Sequence, residues 1–127
     1  MARYRVFRDY LTTSGRNDIK AWLAKLTPGE RQAIQAAIRG LEQVTNPSNS
    51  HFPAIGDGLH KIRLTHRGVQ LRPLCLVSVE RGEVVILVGA KERDGEFHPA
   101  GILEVAKKRR AEVVADWEGR SCEHEFD

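Results

Sequence analysis

The sequence predicts an α+β fold, in which a twisted and mainly antiparallel sheet carries its helices on one side. Two kinds of pattern predict it: apolar residues recur at helical spacing in some segments, whereas other segments are short and rich in β-branched and aromatic residues. Along the chain these segments follow the order β-α-α-β-β-β-α, with a helical hairpin near the N-terminus. A chain of 127 residues is long enough for one hydrophobic core and too short for two, so we expect a single domain.

The N-terminal part is predicted to form a strand and then two helices. The segment from Tyr4 to Tyr10 alternates and is rich in aromatic and β-branched residues, which is typical of a strand. Asn17-Asp18 begins the first helix. Thr27-Pro28-Gly29-Glu30 begins the second, because a Thr cap, a Pro in the first turn and a Glu three residues after the cap form a strong helix start. The apolar faces of these helices consist of Ile19, Trp22, Leu23, Leu26, Ile34, Ala37, Ile38 and Leu41.

Three strand-like segments follow a loop from Asn46 to Gly58, whose Asn46-Pro47 pair is expected to end the second helix. They are Leu59 to His66, Val69 to Val79 and Glu83 to Lys91, with turns at Arg67-Gly68 and Arg81-Gly82. Such short turns predict antiparallel pairing. Val84 to Val88 is apolar on both faces and is therefore placed in the middle of the sheet, whereas Pro73 cannot donate to a strand ladder and indicates an edge or a bulge.

The C-terminal part is predicted to form one helix and a tail. His98-Pro99 begins the helix, which carries a basic band from Lys107 to Arg110. We assign residues 1–115 to the domain and residues 116–127 to a loose acidic tail, because the tail has few apolar groups to bury. The tail holds one Arg and five acidic residues, a net charge of −4, and since the whole chain carries +3, the rest carries +7. A basic body favours a polyanionic partner, although the same charge can serve solubility alone.

The composition favours a cytoplasmic protein without a metal, a cofactor or a membrane span. The longest apolar stretch, Val84 to Ala90, is too short to cross a bilayer, and the basic N-terminal residues lack the apolar segment of a secretory signal. The 2 cysteines, Cys75 and Cys122, are interpreted as unrelated thiols in a reducing compartment. The 5 histidines are scattered and no CxxC or HExxH spacing occurs, so no metal site is expected.

Basic residues concentrate on the predicted strands. Lys61 and Arg63 lie two residues apart and so share one face, the turn at Arg67 brings Arg72 across from them, and Lys91 ends the next strand. A cluster of such cations suits a phosphodiester, because Arg binds phosphate oxygens with a planar fork and Lys offers a compact charge. RNA carries its own nucleophile, the 2′-hydroxyl, so these cations could support cleavage without a metal. The alternative is a solvated basic strand face without chemistry.

Three segments resemble the toxins of the RelE family: residues 59–64 (LHKIRL), residues 68–72 (GVQLR) and residues 84–93 (VVILVGAKER). Together with the element order they resemble in particular the phage-related, HigB-like branch of that family. The resemblance implies a RelE-like fold and the toxin of a type II toxin-antitoxin system. It further implies a metal-independent, ribosome-dependent endoribonuclease (mRNA interferase) that cuts mRNA by 2′-hydroxyl attack and inhibits translation, and whose partner is an antitoxin of the helix-turn-helix type.

The resemblance also implies roles for individual residues. Lys61 would be the general base, Arg63 the next basic position and Arg72 the arginine that grips the phosphate. Lys91 would hold the place of a later basic residue that acts as an acid, with Arg93 as a nearby substitute. Glu92 is interpreted only as a salt-bridge partner.

Phe97-His98 stands where the family often has a tyrosine before the last helix. Phe97 could stack on a base but cannot transfer a proton, whereas His98 could transfer one or could simply cap the helix before Pro99. The candidate catalytic residues are thus Lys61, Arg63, Arg72, Lys91 and His98, and the candidate substrate-binding residues are Arg67, Arg93 and Phe97. Two other functions stay open: a ParE-like inhibitor of DNA gyrase on the same fold, and a non-catalytic nucleic-acid-binding or adaptor domain.

Overall fold

The computed structural model describes residues 6–44 and 51–126, and in those ranges it is a mixed α+β structure with three helices and two sheets. In chain order the elements are β1 (Val6–Tyr10), α1 (Asp18–Lys25), α2 (Pro28–Glu42), β2 (Ala54–Gly56), β3 (Leu59–Lys61), β4 (Leu64–His66), β5 (Val69–Leu71), β6 (Leu74–Ser78), β7 (Glu83–Val88), β8 (Lys91–Arg93), β9 (Glu96–His98), α3 (Ile102–Ala115) and β10 (Ser121–Glu123).

The larger sheet has six strands in the order β10-β1-β7-β6-β3-β2. Strand β1 runs parallel to β7, and the other neighbours are antiparallel. Strand β7 is buried on both faces: Val84 and Ile86 pack against α1 and α2, whereas Val85 and Leu87 pack in a second core with α3. The predicted central position of β7 is confirmed. The prediction that the helices lie on one side is wrong, because a strand that is apolar on both faces needs a cover on each.

The smaller sheet has four short strands in the order β4-β5-β8-β9. Strands β4, β5 and β8 begin within the segments 59–66, 69–79 and 83–91, each of which the sequence predicts as one continuous strand, whereas β9 lies beyond them. That prediction is wrong, because each segment bends and passes from the larger sheet to the smaller one or back. The bends adjoin in space, since the Ile62 amide donates to the Pro73 carbonyl and the Arg72 amide to the Ala90 carbonyl.

Two residues explain why the strands bend where they do. Pro73 has no N–H for a ladder, and the pairing of β6 with β7 shifts register at the adjoining Leu74/Cys75 step, which confirms the predicted irregularity. Gly89 lies against Trp22, and a Cβ built at Gly89 would come within 1.9 Å of the indole ring. The bend after β7 therefore depends on glycine for close packing against α1.

The helix starts follow their capping residues. Asn17 caps α1 by accepting from the Lys20 amide at 2.9 Å, and Thr27 and Glu30 form the predicted capping box of α2. Helix α2 ends at Glu42, and its predicted end at Asn46-Pro47 lies outside the described residues. Helix α3 begins at Ile102 rather than at His98-Pro99, because residues 96–98 pair with β8 as strand β9. Over the described ranges, the helices lack the length and apolarity needed to cross a membrane.

The prediction of a loose acidic tail is wrong for residues 116–126. Strand β10 pairs with β1, and Trp117 is 8% exposed, with its indole N–H donating to Glu83 at 2.7 Å. His124 is 6% exposed and lies between Asp9 and Gln35, at 2.8 and 2.7 Å. The segment is acidic on average, but Trp117, Ser121 and His124 are buried, which composition alone does not indicate.

Candidate functional site

Three charged side chains meet where the chain passes between the two sheets. Lys61 ends β3, Arg72 lies in the bend between β5 and β6, and Glu92 is the middle residue of β8. Lys61 Nζ and Arg72 Nε both approach Glu92 Oε1, at 3.2 and 2.7 Å. Their side chains are 16%, 7% and 18% exposed in that order, so the ion pairs are largely buried. We refer to these three residues as the Glu92 cluster.

Arg72 is fixed by four partners. Besides Glu92, its NH1 atom donates to the Leu64 and Leu71 carbonyls at 2.8 and 2.9 Å, and its NH2 atom donates to Gln70 Oε1 at 3.1 Å. A guanidinium has five N–H donors, so four of them are engaged within the protein. All four partners belong to the smaller sheet, so Arg72 holds three of its strands together and positions Glu92, and little of it is left to bind a phosphate directly.

The two oxygens of Glu92 have different surroundings. Oε1 accepts from both cations, whereas Oε2 accepts no hydrogen bond from the described residues, and the Glu92 side chain is 18% exposed. Burial opposes ionisation, but the hydrogen bonds from Arg72 and Lys61 outweigh it and keep the pKa of the Glu92 carboxyl below its usual value. At neutral pH the cluster thus holds two cations and one carboxylate, with a net charge of +1.

Phe97 supplies an apolar wall beside the Glu92 cluster. It is the cross-strand partner of Glu92 in the β8–β9 pair, so both side chains project from the same face of the smaller sheet. Lys61 Nζ lies 5.6 Å from the centroid of the Phe97 ring, within the range of a cation–π contact. The site therefore combines a cation, an open carboxylate oxygen and an aromatic ring that is suited to stack on a base.

The predicted cluster of Lys61, Arg63, Arg72 and Lys91 forms only in part. Lys91 directly precedes Glu92 on β8, so its side chain projects from the opposite face of the smaller sheet. There its charge acts on Glu30 of α2. Arg63 lies between β3 and β4, two residues after Lys61, and its side chain is exposed. The inclusion of Lys91 is wrong because strand alternation separates it from the other cations.

His98 lies on the Lys91 side as well. It is exposed at the end of β9 and faces Lys91 across the strand pair. A surface cleft of about 310 Å³ is lined by His98, Lys91 and Arg93, and also by Gln70 and Glu92. The interpretation of His98 as a helix cap is wrong, because the N-cap of α3 is Gly101 and has no side-chain cap bond.

Arg67 is the remaining candidate for substrate binding. It is exposed in the β4–β5 turn, where its φ of 49° lies in the left-handed region. Gly68 completes this turn with a φ of 81°. Arg67 thus lies at the tip of a hairpin and is not in contact with the Glu92 cluster.

The sequence predicts Glu92 as a salt-bridge partner, and this is confirmed. It does not predict that Glu92 is the centre of the site or that one of its oxygens stays open. The available signal is the position of an acidic residue between two cations on a short strand, which places it on a different face from Lys91 and Arg93. Within residues 6–44 and 51–126, no group of three or more His, Cys, Asp or Glu side chains is arranged to hold a metal ion.

Comparisons of the chain with protein-family models, with curated proteins and with solved structures found no significant match. The class of protein is therefore defined only by the fold and the site: it is a mixed α+β protein with a buried Lys–Arg–Glu cluster beside an aromatic ring.

Proposed function

We propose that the protein is an RNA-cleaving toxin of the RelE type, which cuts mRNA on the ribosome and is held inactive by an antitoxin. The observation that carries the proposal is the meeting of Lys61 and Arg72 on Glu92, beside the ring of Phe97. Lys61, Arg72 and Phe97 are candidate site residues on sequence grounds, and they come together from separate strands and a bend between strands. Two cations on one carboxylate leave the cluster with a net positive charge, which suits a phosphodiester.

The chemistry follows from what RNA brings with it. The 2′-hydroxyl can attack the adjacent phosphorus if the protein orients the nucleotide, accepts a proton and balances the charge that develops on the phosphorane. Phe97 can stack on a base, and Lys61 with the exposed Arg63 can balance charge. Cleavage by this route leaves a 2′,3′-cyclic phosphate and a 5′-hydroxyl.

The order of elements supports the same proposal at the level of the fold. When the strands divided by bends are counted together and the three-residue strands β2, β9 and β10 are left out, the chain runs β-α-α-β-β-β-α, and the first strand lies beside the last long one. This is the order expected for a RelE-like fold. A fold hosts many functions, so the argument for cleavage depends on the Glu92 cluster rather than on the topology.

One observation favours a second candidate, a domain that binds nucleic acid without cutting it. Arg72 is 6% exposed and four of its donors are engaged, so it cannot grip a phosphate in the way that the resemblance implies. The exposed cations Arg63, Arg67 and Arg93 could still bind a phosphate backbone.

The decisive experiment adds the purified protein to ribosomes programmed with a defined mRNA and maps the ends of the products. We expect cleavage of the ribosome-bound message, with 2′,3′-cyclic phosphate termini, and no cleavage of the same message free in solution. A message with one 2′-deoxynucleotide at the mapped position should stay intact, because it lacks the nucleophile. If the wild-type protein stays bound to the ribosomes and the message remains intact, the result would instead support the second candidate, a domain that binds nucleic acid without cutting it.

A further inference from the structure

The two oxygens of the Glu92 carboxylate differ in their hydrogen-bond partners and therefore in what they can do. Oε1 is held by Lys61 and Arg72, which fixes the orientation of the carboxylate, while Oε2 is unpartnered among the described residues and belongs to a side chain that is 18% exposed. A carboxylate oxygen that is fixed in place and has free lone pairs can accept a proton from a bound hydroxyl. Phe97 lies beside it on the same face, where it can hold a nucleotide.

The other groups at the site are poor proton acceptors. Lys61 is paired with Glu92 as an ammonium, which has three donors and no lone pair, and Arg72 does not give up its proton in proteins. Gln70 Oε1 already accepts from Arg72. His98 projects from the opposite face of the smaller sheet with Lys91. Among the described residues around the cluster, Glu92 Oε2 is the acceptor that remains.

We infer that Glu92 is the general base of the proposed cleavage, an inference that rests on the proposed function. The 2′-hydroxyl passes its proton to Glu92 Oε2, and its oxygen forms a bond to the adjacent phosphorus. The bond from phosphorus to the 5′-oxygen breaks, and the leaving oxygen takes a proton from water. Glu92 then returns its proton to the hydroxide so formed, which restores the carboxylate and balances the reaction.

The arrangement couples proton transfer to charge stabilisation. While Glu92 is ionised, its charge offsets one of the two cations, and the cluster carries +1. Once Glu92 takes the proton, the cluster carries +2 at the moment when negative charge grows on the phosphorane. The site therefore stabilises the transition state more than the bound substrate, which is the condition for an increase in rate.

The test is single-turnover cleavage on programmed ribosomes by the wild type and by Glu92→Gln, measured from pH 6 to pH 8. General-base catalysis contributes about 10²-fold to 10⁴-fold, so we expect a loss of that size in Glu92→Gln. The pKa of Glu92 is lowered, so the wild-type rate should not change over this range, because the base stays ionised throughout. The residual rate of Glu92→Gln should depend on hydroxide and rise about tenfold for each pH unit.

The matched control is Glu96→Gln, since Glu96 is an exposed carboxylate on the neighbouring strand and projects from the other face. It should keep the wild-type rate and the flat pH profile. A Glu92→Gln protein that retains the wild-type rate overturns the inference. A slower Glu92→Gln protein with an unchanged flat profile also overturns it, because a purely structural defect lowers the rate without changing how the proton is removed.

A measurement on the wild type alone keeps the inference testable if Glu92→Gln does not fold. A base with a high pKa, such as a lysine, would make the wild-type rate rise about tenfold per unit from pH 6 to pH 8. That rise would exclude Glu92 as the base while leaving cleavage itself established. A wild-type protein that leaves the ribosome-bound message intact overturns the proposed function, and the role of Glu92 with it.

Discussion

Lys61 and Arg72 share a carboxylate but differ in what else they bind. Arg72 makes three further hydrogen bonds and is nearly enclosed. Among the described residues Lys61 contacts Glu92 and the ring of Phe97, and it keeps 16% of its side chain exposed. Lys61 is therefore the cation of the cluster that a substrate phosphate can reach, and Arg72 is the one that holds the site together.

This difference predicts the outcome of two substitutions at Lys61. Lys61→Ala removes a preorganised cation and should slow single-turnover cleavage by about a hundredfold. Lys61→Arg keeps the charge and the pair with Glu92, and it should keep most of the rate if Lys61 acts only through its charge. Lys108→Ala, which removes an exposed cation from α3, is the control and should behave as the wild type. Equal losses of rate in Lys61→Ala and Lys61→Arg would indicate that Lys61, rather than Glu92, is the general base.

The sequence predicts part of this site because strand alternation holds over short distances. The proximity of Lys61 and Arg72 follows from the turn at Arg67-Gly68, and it is confirmed through their common partner. The position of Lys91 could not be predicted in the same way. Alternation does not continue across the bend at Gly89, and that bend depends on packing against Trp22, a residue far away in the chain.

At the scale of elements, the ends of helices are more predictable than the ends of strands. The caps of α1 and α2 are local: a side chain and an amide three residues apart decide where the helix begins. The divided strands are not local, because each bend depends on backbone hydrogen bonds to another bend, as between Ile62 and Pro73. The predicted start of α3 at His98-Pro99 is wrong for the same reason, because residues 96–98 pair with β8.

Strand β10 and the turn before it are expected to be important for stability. Trp117 packs in the core on the α3 side, donates to Glu83 and lies under the guanidinium of Arg81 at 4.4 Å. Trp117→Ala should lower the free energy of unfolding by about 3 kcal/mol, as for other large aromatic residues in cores. Equilibrium denaturation by urea measures it. Glu118→Ala is the control, because the Glu118 side chain is 74% exposed and its loss should change little.

A Trp117→Ala protein as stable as the wild type would show that the segment 116–126 can separate from the domain. In that case, deletion of the segment should also leave the melting temperature unchanged. The pairing of β10 with β1 and the buried His124 lead us to expect the opposite, a clear decrease in the melting temperature of the deletion variant.

At the scale of the whole molecule, the acidic segment after α3 and the Glu92 cluster lie at different places. The acidic segment after α3 lies at the β10 edge of the larger sheet, whereas Lys61 belongs to β3, four strands away in the order. The segment therefore does not cover the Glu92 cluster. The cluster face is left for a polyanion or for an acidic partner.

This separation of charge predicts how the proposed toxin behaves in cells and with its antitoxin. Expression of the protein alone should arrest growth with cleaved mRNA, and an antitoxin that covers the Glu92 face should associate at a rate that falls as salt rises. Transcript mapping and stopped-flow binding measure the two effects. Growth arrest with intact transcripts and broken DNA would assign the protein to the gyrase inhibitors instead.

The position of β1 between β7 and β10 has a consequence for synthesis. Residues 6–10 leave the ribosome early, but their strand neighbours are residues 83–86 on one side and 121–123 on the other. During translation β1 therefore has neither of these neighbours until residues 83–86 have emerged, and it gains the second only when residue 123 has emerged. Contacts so distant in sequence slow folding, because a long loop must close before they form. The larger sheet is thus completed only after residue 123 has emerged, and a nascent chain shorter than about residue 120 keeps one edge of β1 open to other chains.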